Sequence, residues 1–429
     1  MNRSAKAVPV LLIALVTVGC SVLAQLQPPA AAAEAKSDAP RAAADPTAAS
    51  QAASAANAFG FDMFAALRAG QGDTNIVFSP ASIELALAMA RAGARGTTAD
   101  QMDAVMHAFG ADGLSSGINS LDQLLNSRSG TFRDLGGQQH DLTLTIANAP
   151  FAQSDEAWEQ AYLDALAQRF GAGVRLVDYK SSFEAARAQI NDWVSQQTNA
   201  RIPELLGQGT LDALTRLVLV NAIYLKAPWN VAFNEDSTKA ADFTRVDGST
   251  VQAQMMAVSD DFAYAQGDGW QAVELPYIGG KLAMTLILPT DFAAYTAALD
   301  ADSFAQVTAA LAVSKGEVAL PRFDFETKAD LGDLLTNLGM TDAFDPNAAD
   351  FSGMTTQEPL YISRVIHQAN ISVDEKGTEA AAATAVVMTA GAMPSEPFNI
   401  RFDRPFVFAL RDLDTGAVLF LGQVTDPTK

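Results

Sequence analysis

The most constraining feature of the sequence is a continuous stretch of apolar and β-branched residues near its middle. From Thr215 to Trp229 the chain reads TRLVLVNAIYLKAPW. A largely apolar run of this composition is typical of a strand that is buried on both faces. The chain is therefore expected to contain a sheet that other elements cover on both sides.

The rest of the pattern divides the chain into a helix-rich first half and a strand-rich second half. Apolar residues at helical spacing predict a helix from Ala53 to Ala69, and Ser79 followed by Pro80 is a good start for a second, apolar helix. After Phe233, short strands alternate with turns and end in a hairpin pair between Phe398 and Val424. This order predicts an α+β fold in one intertwined domain, with no linker-like break after residue 55.

Composition excludes several classes of function. The net charge of −21 argues against nucleic-acid binding, which needs a basic face, and no Lys/Arg cluster suggests a heparin-type activator. The single cysteine, Cys20, rules out an internal disulfide and a cysteine-based metal site. The three histidines lie in separate segments without metal-ligand spacing, so neither a metal site nor a histidine-based catalytic triad is expected.

The N-terminus reads as a secretory signal over residues 1–24. Arg3 and Lys6 precede an apolar run from Val8 to Val18, which is shorter than the roughly 20 residues that a membrane-spanning helix needs. The sequence is compatible with two alternative cleavage sites. TVGC resembles a bacterial lipobox, with threonine where leucine is usual, and would leave Cys20 lipidated; VLA would allow ordinary cleavage after Ala24. Either predicts an extracytoplasmic protein, anchored to a membrane through Cys20 or secreted.

Residues 25–54 are rich in alanine and proline and have almost no large apolar side chains. Such a segment buries too little surface to offset the entropy of ordering it. The sequence therefore predicts a flexible tether over residues 25–54 and a folded domain over residues 55–429.

The segment DEKGTEAAAATAVV, from Asp374 to Val387, is compatible with two conformations. Its alanines favour a helix, whereas its closing threonine and valines favour a strand. If the segment is extended, every second residue lies on the same face, and the side chains on that face are first small and then apolar, as in a half-buried strand. That face carries Thr378, Ala380, Ala382, Thr384, Val386 and Met388.

Six separated blocks make residues 55–429 similar to the serpin family, in the family's order and spacing. They are NIVFSPASI, LVNAIYLKAPW, VELPYIGGKLAMTLILP, PRFDFETKADLGDLLTNLGMTDAF, HQANISVDEKGTEAAAAT and FDRPFVFALRD. The resemblance implies helices packed around three β-sheets, with an exposed reactive loop that can insert into the large central sheet. A target protease cuts the loop as a substrate, and the freed hinge inserts as a new strand while the acyl-enzyme ester still exists. The chain is thus expected to be a suicide-substrate inhibitor of serine proteases, a monomer without cofactor and not an enzyme.

The hinge that the resemblance implies has the composition that strand insertion requires. It comprises Glu375, Lys376, Gly377, Thr378, Glu379, Ala380, Ala381, Ala382, Ala383 and Thr384. Its inward positions are small, and a charge buried at one of them would cost several kcal/mol. Gly377 allows a sharp change of backbone direction, and Glu379 is expected to face outward and stay solvated. This hinge resembles that of inhibitory members; a non-inhibitory serpin acting as a binding module is the alternative.

Two further groups carry over from the family. The shutter cluster, a polar network expected beneath the centre of the sheet, is Ser79, Ser82, Asn221 and His367. The breach, where insertion begins, is Trp229, Arg322 and Glu375, with an exposed Arg322–Glu375 pair expected to contribute ~0–1 kcal/mol. Ser79 and His367 could also suggest a hydrolase, but FSPAS is not the GxSxG motif of a nucleophile elbow.

The usual hinge length places the reactive bond between Gly391 and Ala392. The loop is longer than in well-known members, so the acyl side of the bond stays open within a window of Met388, Thr389, Ala390 and Met393. No basic residue occurs in the window, and no acidic one before Glu396. Small side chains and methionines suit elastase-like or subtilisin-like proteases, with chymotrypsin-like enzymes next.

Overall fold

The computed structural model describes residues 32–134, 136–379 and 397–429. Cys20, the hinge from Ala380 onward and the predicted reactive bond lie outside the described residues. The α+β prediction is confirmed, because helices pack on both large sheets. The helices are α1 (Pro46–Gln71), α2 (Pro80–Arg91), α3 (Gly96–Val105), α4 (Ala111–Asn126), α5 (Gln160–Phe170), α6 (Tyr179–Gln197), α7 (Phe292–Ala298), α8 (Ala301–Ala310) and α9 (Gly332–Asn337).

The strands lie between the helices along the chain and are numbered in chain order. They are β1 (Ala33–Ala35), β2 (Ile76–Phe78), β3 (Gly130–Arg133), β4 (Gln139–Gln153), β5 (Val174–Val177), β6 (Leu217–Pro228), β7 (Lys239–Thr244), β8 (Thr250–Gly267), β9 (Trp270–Pro276), β10 (Leu282–Pro289), β11 (Ala312–Pro321), β12 (Phe323–Asp330), β13 (Arg364–Asp374), β14 (Gly377–Thr378), β15 (Phe398–Arg401), β16 (Phe406–Asp412) and β17 (Val418–Val424).

The first sheet has the order β1-β5-β4-β6-β14-β13-β12, with β3 paired to β4. Its central strand β6 lies within the apolar stretch from Thr215 to Trp229, and α2 and α6 both contact it. The prediction of a strand covered on both sides is therefore confirmed. Its interior position places it beside the hinge.

The second sheet has the order β15-β11-β8-β9-β10-β16-β17-β2, with β7 paired to β8. Three sheets were expected, and the described strands form two hydrogen-bonded networks. The 18-residue β8 explains the difference, because it pairs with β7 and β11 along most of its length and with β9 near its end. One long strand thus joins the two smaller sheets.

The stretch from Glu317 to Phe325 has the sequence pattern of one short strand, but it forms parts of two strands in different sheets. Pro321 ends β11 in the second sheet, and Phe323 begins β12 in the first. Arg322 lies at the crossing between them, where its backbone N–H donates to the Gln254 carbonyl at 2.9 Å. This crossing determines where the Arg322 guanidinium can reach.

Helix α1 begins seven residues before its predicted start at Ala53. Asp45 caps it by accepting a hydrogen bond from the Thr47 amide at 2.8 Å, and Pro46 occupies the first turn. The helix ends at Gln71, and Gly72 follows with a positive φ of 65°. The added turns bury Ala49 and Ala52 completely, so alanines without large apolar neighbours still contribute to the core.

The flexible tether predicted for residues 25–54 is wrong for the described part of that segment. Residues 32–45, which we call the N-terminal strap, lie along the edge of the first sheet. Their strand β1 pairs antiparallel with β5, from Ala33 opposite Leu176 to Ala35 opposite Val174. A Cβ on Gly173 would lie 2.6 Å from the Ala35 carbonyl oxygen, so glycine is needed for the strap to approach.

Arg41 fastens the strap to α4. Its Nη2 lies 2.6 Å from Asp122 Oδ2, and its Nε donates to Asn119 Oδ1 at 2.9 Å. Burial raises the pKa of the Asp122 carboxyl, and the hydrogen bond from Arg41 opposes that rise. Backbone pairing and one buried ion pair thus order a segment whose composition alone predicts disorder.

Replacing Arg41 by alanine is expected to lower the thermal unfolding midpoint by roughly 3–6 °C. The substitution leaves the buried Asp122 without its cation, which costs about 2–3 kcal/mol. Differential scanning calorimetry measures the shift. Lys36→Ala is the control, because Lys36 Nζ is 3.7 Å from Glu34 and 60% exposed, and it should change the midpoint by less than about 1 °C. Equal midpoints for the Arg41→Ala and Lys36→Ala variants would show that the strap adds no stability.

Candidate functional site

The candidate site is the opening between β6 and β13 in the first sheet. At one end these strands pair in parallel, from Arg364 opposite Val218 to Gln368 opposite Ala222. At the other end β14 separates them. The sheet is therefore closed at one end of this seam and holds two hinge residues, Gly377 and Thr378, at the other end.

Strand β14 is hydrogen-bonded on both sides. Thr378 lies opposite Val373 of β13 and Ala227 of β6, and Gly377 lies opposite Asp374 and Pro228. Both pairings are antiparallel, as a strand added from the hinge requires. Two hinge residues thus occupy a central position between strands that are neighbours elsewhere along the seam.

Gly377 is required at the entrance of the opening. Its φ is 152°, and a Cβ there would lie 2.2 Å from the Ala227 carbonyl oxygen and 2.7 Å from Pro228 Cα. The sequence predicts a glycine that frees the backbone to turn. The structure adds a close approach to β6 that no side chain would permit.

Thr378 anchors the inserted end of the hinge. Its side chain is 3% exposed, and its hydroxyl lies 2.6 Å from the Tyr277 hydroxyl. The Tyr277 ring stacks on Trp229, with centroids 4.5 Å apart, and Trp229 Nε1 donates to the Asp374 carbonyl at 2.9 Å. Burial raises the pKa of Tyr277, so its hydroxyl stays neutral. Tyr277 was not predicted as a site residue, although it lies within one of the matching blocks.

The Glu375–Arg322 pair forms as predicted but is not an exposed pair. Glu375 is 3% exposed, and its Oε1 accepts from Arg322 Nη2 at 2.6 Å, from Arg322 Nε at 2.8 Å and from the Thr238 hydroxyl. Burial acts to raise the pKa of Glu375, and the hydrogen bonds from Arg322 and Thr238 outweigh it, so the pKa lies below the usual value. Removing Arg322 would leave a buried carboxylate without its cation, which costs more than the loss of a surface pair.

The shutter cluster lies where β6 and β13 are still paired. The His367 ring lies against Asn221, Nδ1 to Oδ1, and its Nε2 accepts from the Ser79 backbone N–H at 3.2 Å. Asn221 Nδ2 donates to the Ser82 hydroxyl at 2.5 Å and contacts Asn148 Oδ1. Asn148, on β4, is a member that sequence reasoning missed. Its only signal is an isolated asparagine in an apolar strand, the same signal that marks Asn221 in β6.

The geometry does not support a hydrolase at Ser79 and His367. The Ser79 hydroxyl accepts from the Ser82 amide as the N-cap of α2, while His367 accepts from the Ser79 backbone rather than its hydroxyl. A base that does not contact the hydroxyl cannot activate it as a nucleophile. Both residues are buried within the helix cap and the sheet, as structural members of the shutter cluster.

The pH dependence of stability is expected to report on His367. Burial lowers the pKa of His367 to about 3, whereas an unfolded histidine has a pKa near 6.5. Between these values the unfolded chain binds a proton that the folded chain does not. His367 therefore makes stability fall as the pH drops below 6.5, by up to about 1.4 kcal/mol per pH unit.

Thermal midpoints at pH 7 and pH 5 measure this contribution. We expect the wild-type midpoint to fall further than that of a His367→Gln variant over the same pH interval. A His367→Gln variant whose midpoint falls as far as that of the wild type would contradict a neutral, buried His367.

Lys376 and Glu379, the remaining described hinge residues, both form ion pairs. Lys376 Nζ lies 3.1 Å from Glu235 on the surface. Glu379 was expected to be solvated, but its side chain is only 14% exposed and lies 2.5 Å from Arg201. This difference arises because Arg201, on the connection between α6 and β6, covers the outer side of the opening.

The described residues contain neither a candidate membrane span nor a candidate metal cluster. Within residues 32–134, 136–379 and 397–429, no helix is both long and apolar enough to cross a membrane. The same ranges contain no group of three or more His, Cys, Asp or Glu side chains that could hold a metal ion.

Comparison with known proteins identifies the family. The family model described as "Serpin (serine protease inhibitor)" matches residues 54–427. Plasminogen activator inhibitor 1 of Sus scrofa is 37% identical over 88% of this chain and 93% of its own length. Leukocyte elastase inhibitor A of Mus musculus is 36% identical over 88% of this chain and 100% of its own length.

A solved structure supports the same assignment. The native state of tengpin, a thermophilic serpin, superposes with a TM-score of 0.78 at 26% identity, over 92% of this chain and 100% of that one. The family match over residues 54–427 includes every strand of the two large sheets except β1. The chain therefore belongs to the serpin family.

Proposed function

We propose that this serpin inhibits serine proteases as a suicide substrate, by inserting its cleaved loop into the first sheet. The observation that carries the proposal is the position of β14. Gly377 and Thr378 are already paired between β6 and β13, while the same two strands remain paired with each other further along. The hinge has thus begun the insertion that the mechanism requires and stops after two residues.

In the proposed mechanism the target protease supplies the chemistry. Its catalytic serine oxygen forms an ester with the carbonyl carbon of the residue on the acyl side, and the peptide C–N bond breaks. The serine proton passes, by way of the protease's own base, to the new amino group of the C-terminal segment, whose strands β15, β16 and β17 belong to the second sheet. The freed hinge then extends β14 before water can hydrolyse the ester, and the protease is carried away in covalent linkage.

The register of β14 indicates what insertion must displace. Each further hinge residue moves one position along both neighbouring strands, which would bring Thr384 between Asn221 and His367. These two residues are now partners in the closed seam and share a hydrogen bond. Insertion must separate them, and the Thr384 hydroxyl is suited to replace the lost hydrogen bond. The shutter cluster therefore marks the point at which the sheet has to open.

The loop sequence supports elastase-like, subtilisin-like or chymotrypsin-like targets. Gly391 and Ala392 are the proposed reactive bond, and the residues around them are small or are methionine. A relative is named an elastase inhibitor, which fits small side chains on the acyl side. We further propose an extracytoplasmic, monomeric protein, held at a membrane through a lipidated Cys20 or secreted after cleavage at Ala24.

Incubation with elastase, subtilisin and chymotrypsin tests the function. We expect a covalent complex that survives boiling in SDS with at least one of them, at a stoichiometry near one. Mass spectrometry of the released C-terminal peptide locates the cut, expected to leave Ala392 as its first residue. Complete cleavage by all three proteases without any SDS-stable complex would refute inhibition and favour the binding-module alternative.

A further inference from the structure

Glu379 contacts the connection after α6 at the point where strand β14 ends, directly after Thr378. Arg201 Nε lies 2.5 Å from Glu379 Oε1, and Arg201 Nη2 donates to Asp324 of β12 at 3.1 Å. Arg201 therefore joins the hinge to the strand beyond β13. Burial raises the pKa of the Glu379 carboxyl, and Arg201, the Tyr224 hydroxyl and Lys226 all oppose that rise.

The turn that presents Arg201 is strained. Asn199 and Ala200, which follow α6, have φ values of 50° and 60°. Two successive non-glycine residues in the left-handed region are uncommon, and alanine gains no side-chain hydrogen bond there to offset the cost. Strain of this kind persists only where surrounding contacts hold it. The turn, Glu379 and Tyr224 together line a surface cleft of about 370 Å³ over the seam between β6 and β13.

Glu379 is already partly in the register of an inserted strand. Its backbone N–H donates to the Ser372 carbonyl at 3.1 Å, which is the bond to β13 that continues β14. Its φ of 51° is nevertheless outside the extended range that a strand requires. If Glu379 became extended, the register would place it opposite Lys226 on β6, on the same outer face. The carboxylate would then leave Arg201 and lie directly beside Lys226, which already acts on it electrostatically.

We propose that Arg201 is the positioning residue that holds the hinge at Thr378, and that insertion proceeds by transfer of Glu379 from Arg201 to Lys226. We call the Arg201–Glu379 contact the latch. In the uninserted protein the latch stabilises the starting state and slows insertion. Lys226 stabilises the state in which Glu379 is extended and paired with β6. This inference rests on the proposed insertion mechanism and names the residues that set its rate.

The test compares charge-removing variants that act on opposite sides of this transfer. Arg201→Gln is expected to raise the rate of spontaneous loop insertion about fivefold, because it destabilises only the starting state. Lys226→Gln should leave that rate unchanged or lower it. Arg364→Gln is the matched control, since Arg364 Nη1 pairs with Asp330 at 2.7 Å at the far end of β13 and should not change the rate. Arg201→Lys retains the cation and should stay within about twofold of wild type.

Insertion is measured without a target protease, as the growth of a heat-resistant fraction during incubation of the intact protein at a fixed temperature. If Arg201→Gln does not fold, Glu379→Gln is compared with Lys226→Gln. Both lack the Glu379–Lys226 pair and differ only in the latch, so Glu379→Gln should insert about fivefold faster.

Equal rates for Arg201→Gln and Arg364→Gln, or for Glu379→Gln and Lys226→Gln in the second comparison, would overturn the latch. A wild-type protein that inserts its loop but forms no covalent complex would refute inhibition and leave the latch intact. A wild-type protein that forms complexes, with variants that do not differ in insertion rate, would refute the latch alone.

Discussion

Cleavage of the loop near Gly391 is expected to raise the thermal unfolding midpoint by at least about 15 °C. A dozen or so hinge residues would gain ladder hydrogen bonds and buried contacts between β6 and β13. At about 0.5–1.5 kcal/mol net for each hydrogen bond, the gain is on the order of 10 kcal/mol. A stabilisation of that size shifts the midpoint of a domain this large by many degrees. Breaking a peptide bond normally lowers the unfolding midpoint of a protein. An increase of this size would therefore indicate that the hinge has inserted.

Calorimetry of the intact and nicked forms measures this shift. The nick is made by a protease that cuts the loop without being trapped, and electrophoresis confirms a single cut. Hydrogen exchange gives an independent readout, since the hinge amides should become protected only after cleavage. Identical midpoints for the two forms, with the hinge amides still exchanging rapidly, would contradict insertion.

Replacing Thr378 by arginine is expected to convert the inhibitor into a substrate. Thr378 is 3% exposed and its hydroxyl lies against Tyr277, so arginine there would bury a charge without a partner. The cost is roughly 3–5 kcal/mol, and each 1.4 kcal/mol slows insertion tenfold if it is felt in the transition state. Hydrolysis of the acyl-enzyme would then precede trapping. The stoichiometry of inhibition should rise at least about tenfold, with cleavage of the loop undiminished.

Titration of a protease that forms the SDS-stable complex tests this expectation. Thr378→Ser is the control, because it keeps the hydroxyl that contacts Tyr277 and should inhibit like the wild type. If the Thr378→Arg variant still traps the protease with a stoichiometry near one, β14 does not lead the insertion. A circular dichroism spectrum unchanged from wild type would confirm that the variant folds.

Much of the site could be predicted from the sequence because its members have local signatures. A glycine before small alternating residues indicates a hinge, and the proline-capped start of α2 places Ser79 and Ser82 at a helix end. Asn221 is an isolated polar residue in an apolar strand, and His367 directly follows the apolar pair Val365 and Ile366. Polar side chains at such positions have to find partners when they are buried. The structure brings these four shutter residues together with Asn148, whose position depends on how β4 registers with β6.

Other features could not be predicted, since they depend on which distant segments meet. Arg201 and Glu379 are far apart in the sequence, and nothing in either segment indicates the other. The burial of Glu375 follows from the crossing of Arg322 between β11 and β12, which reads as one continuous strand in the sequence. The hydroxyl contact of Thr378 with Tyr277 likewise requires β6, β13 and the end of β9 to converge.

The α+β class, the covered central strand and the small inward face of the hinge can be predicted from local sequence, because each follows from side-chain size and periodicity within one segment. The order of the N-terminal strap and the end of β14 at Thr378 depend instead on contacts between distant segments. An edge strand such as β1 is stabilised by backbone hydrogen bonds to β5, which composition does not encode. The position at which β14 ends depends on whether the Glu379 carboxylate pairs with Arg201 or with Lys226. This competition exists only when the three chain segments that carry these residues fold together.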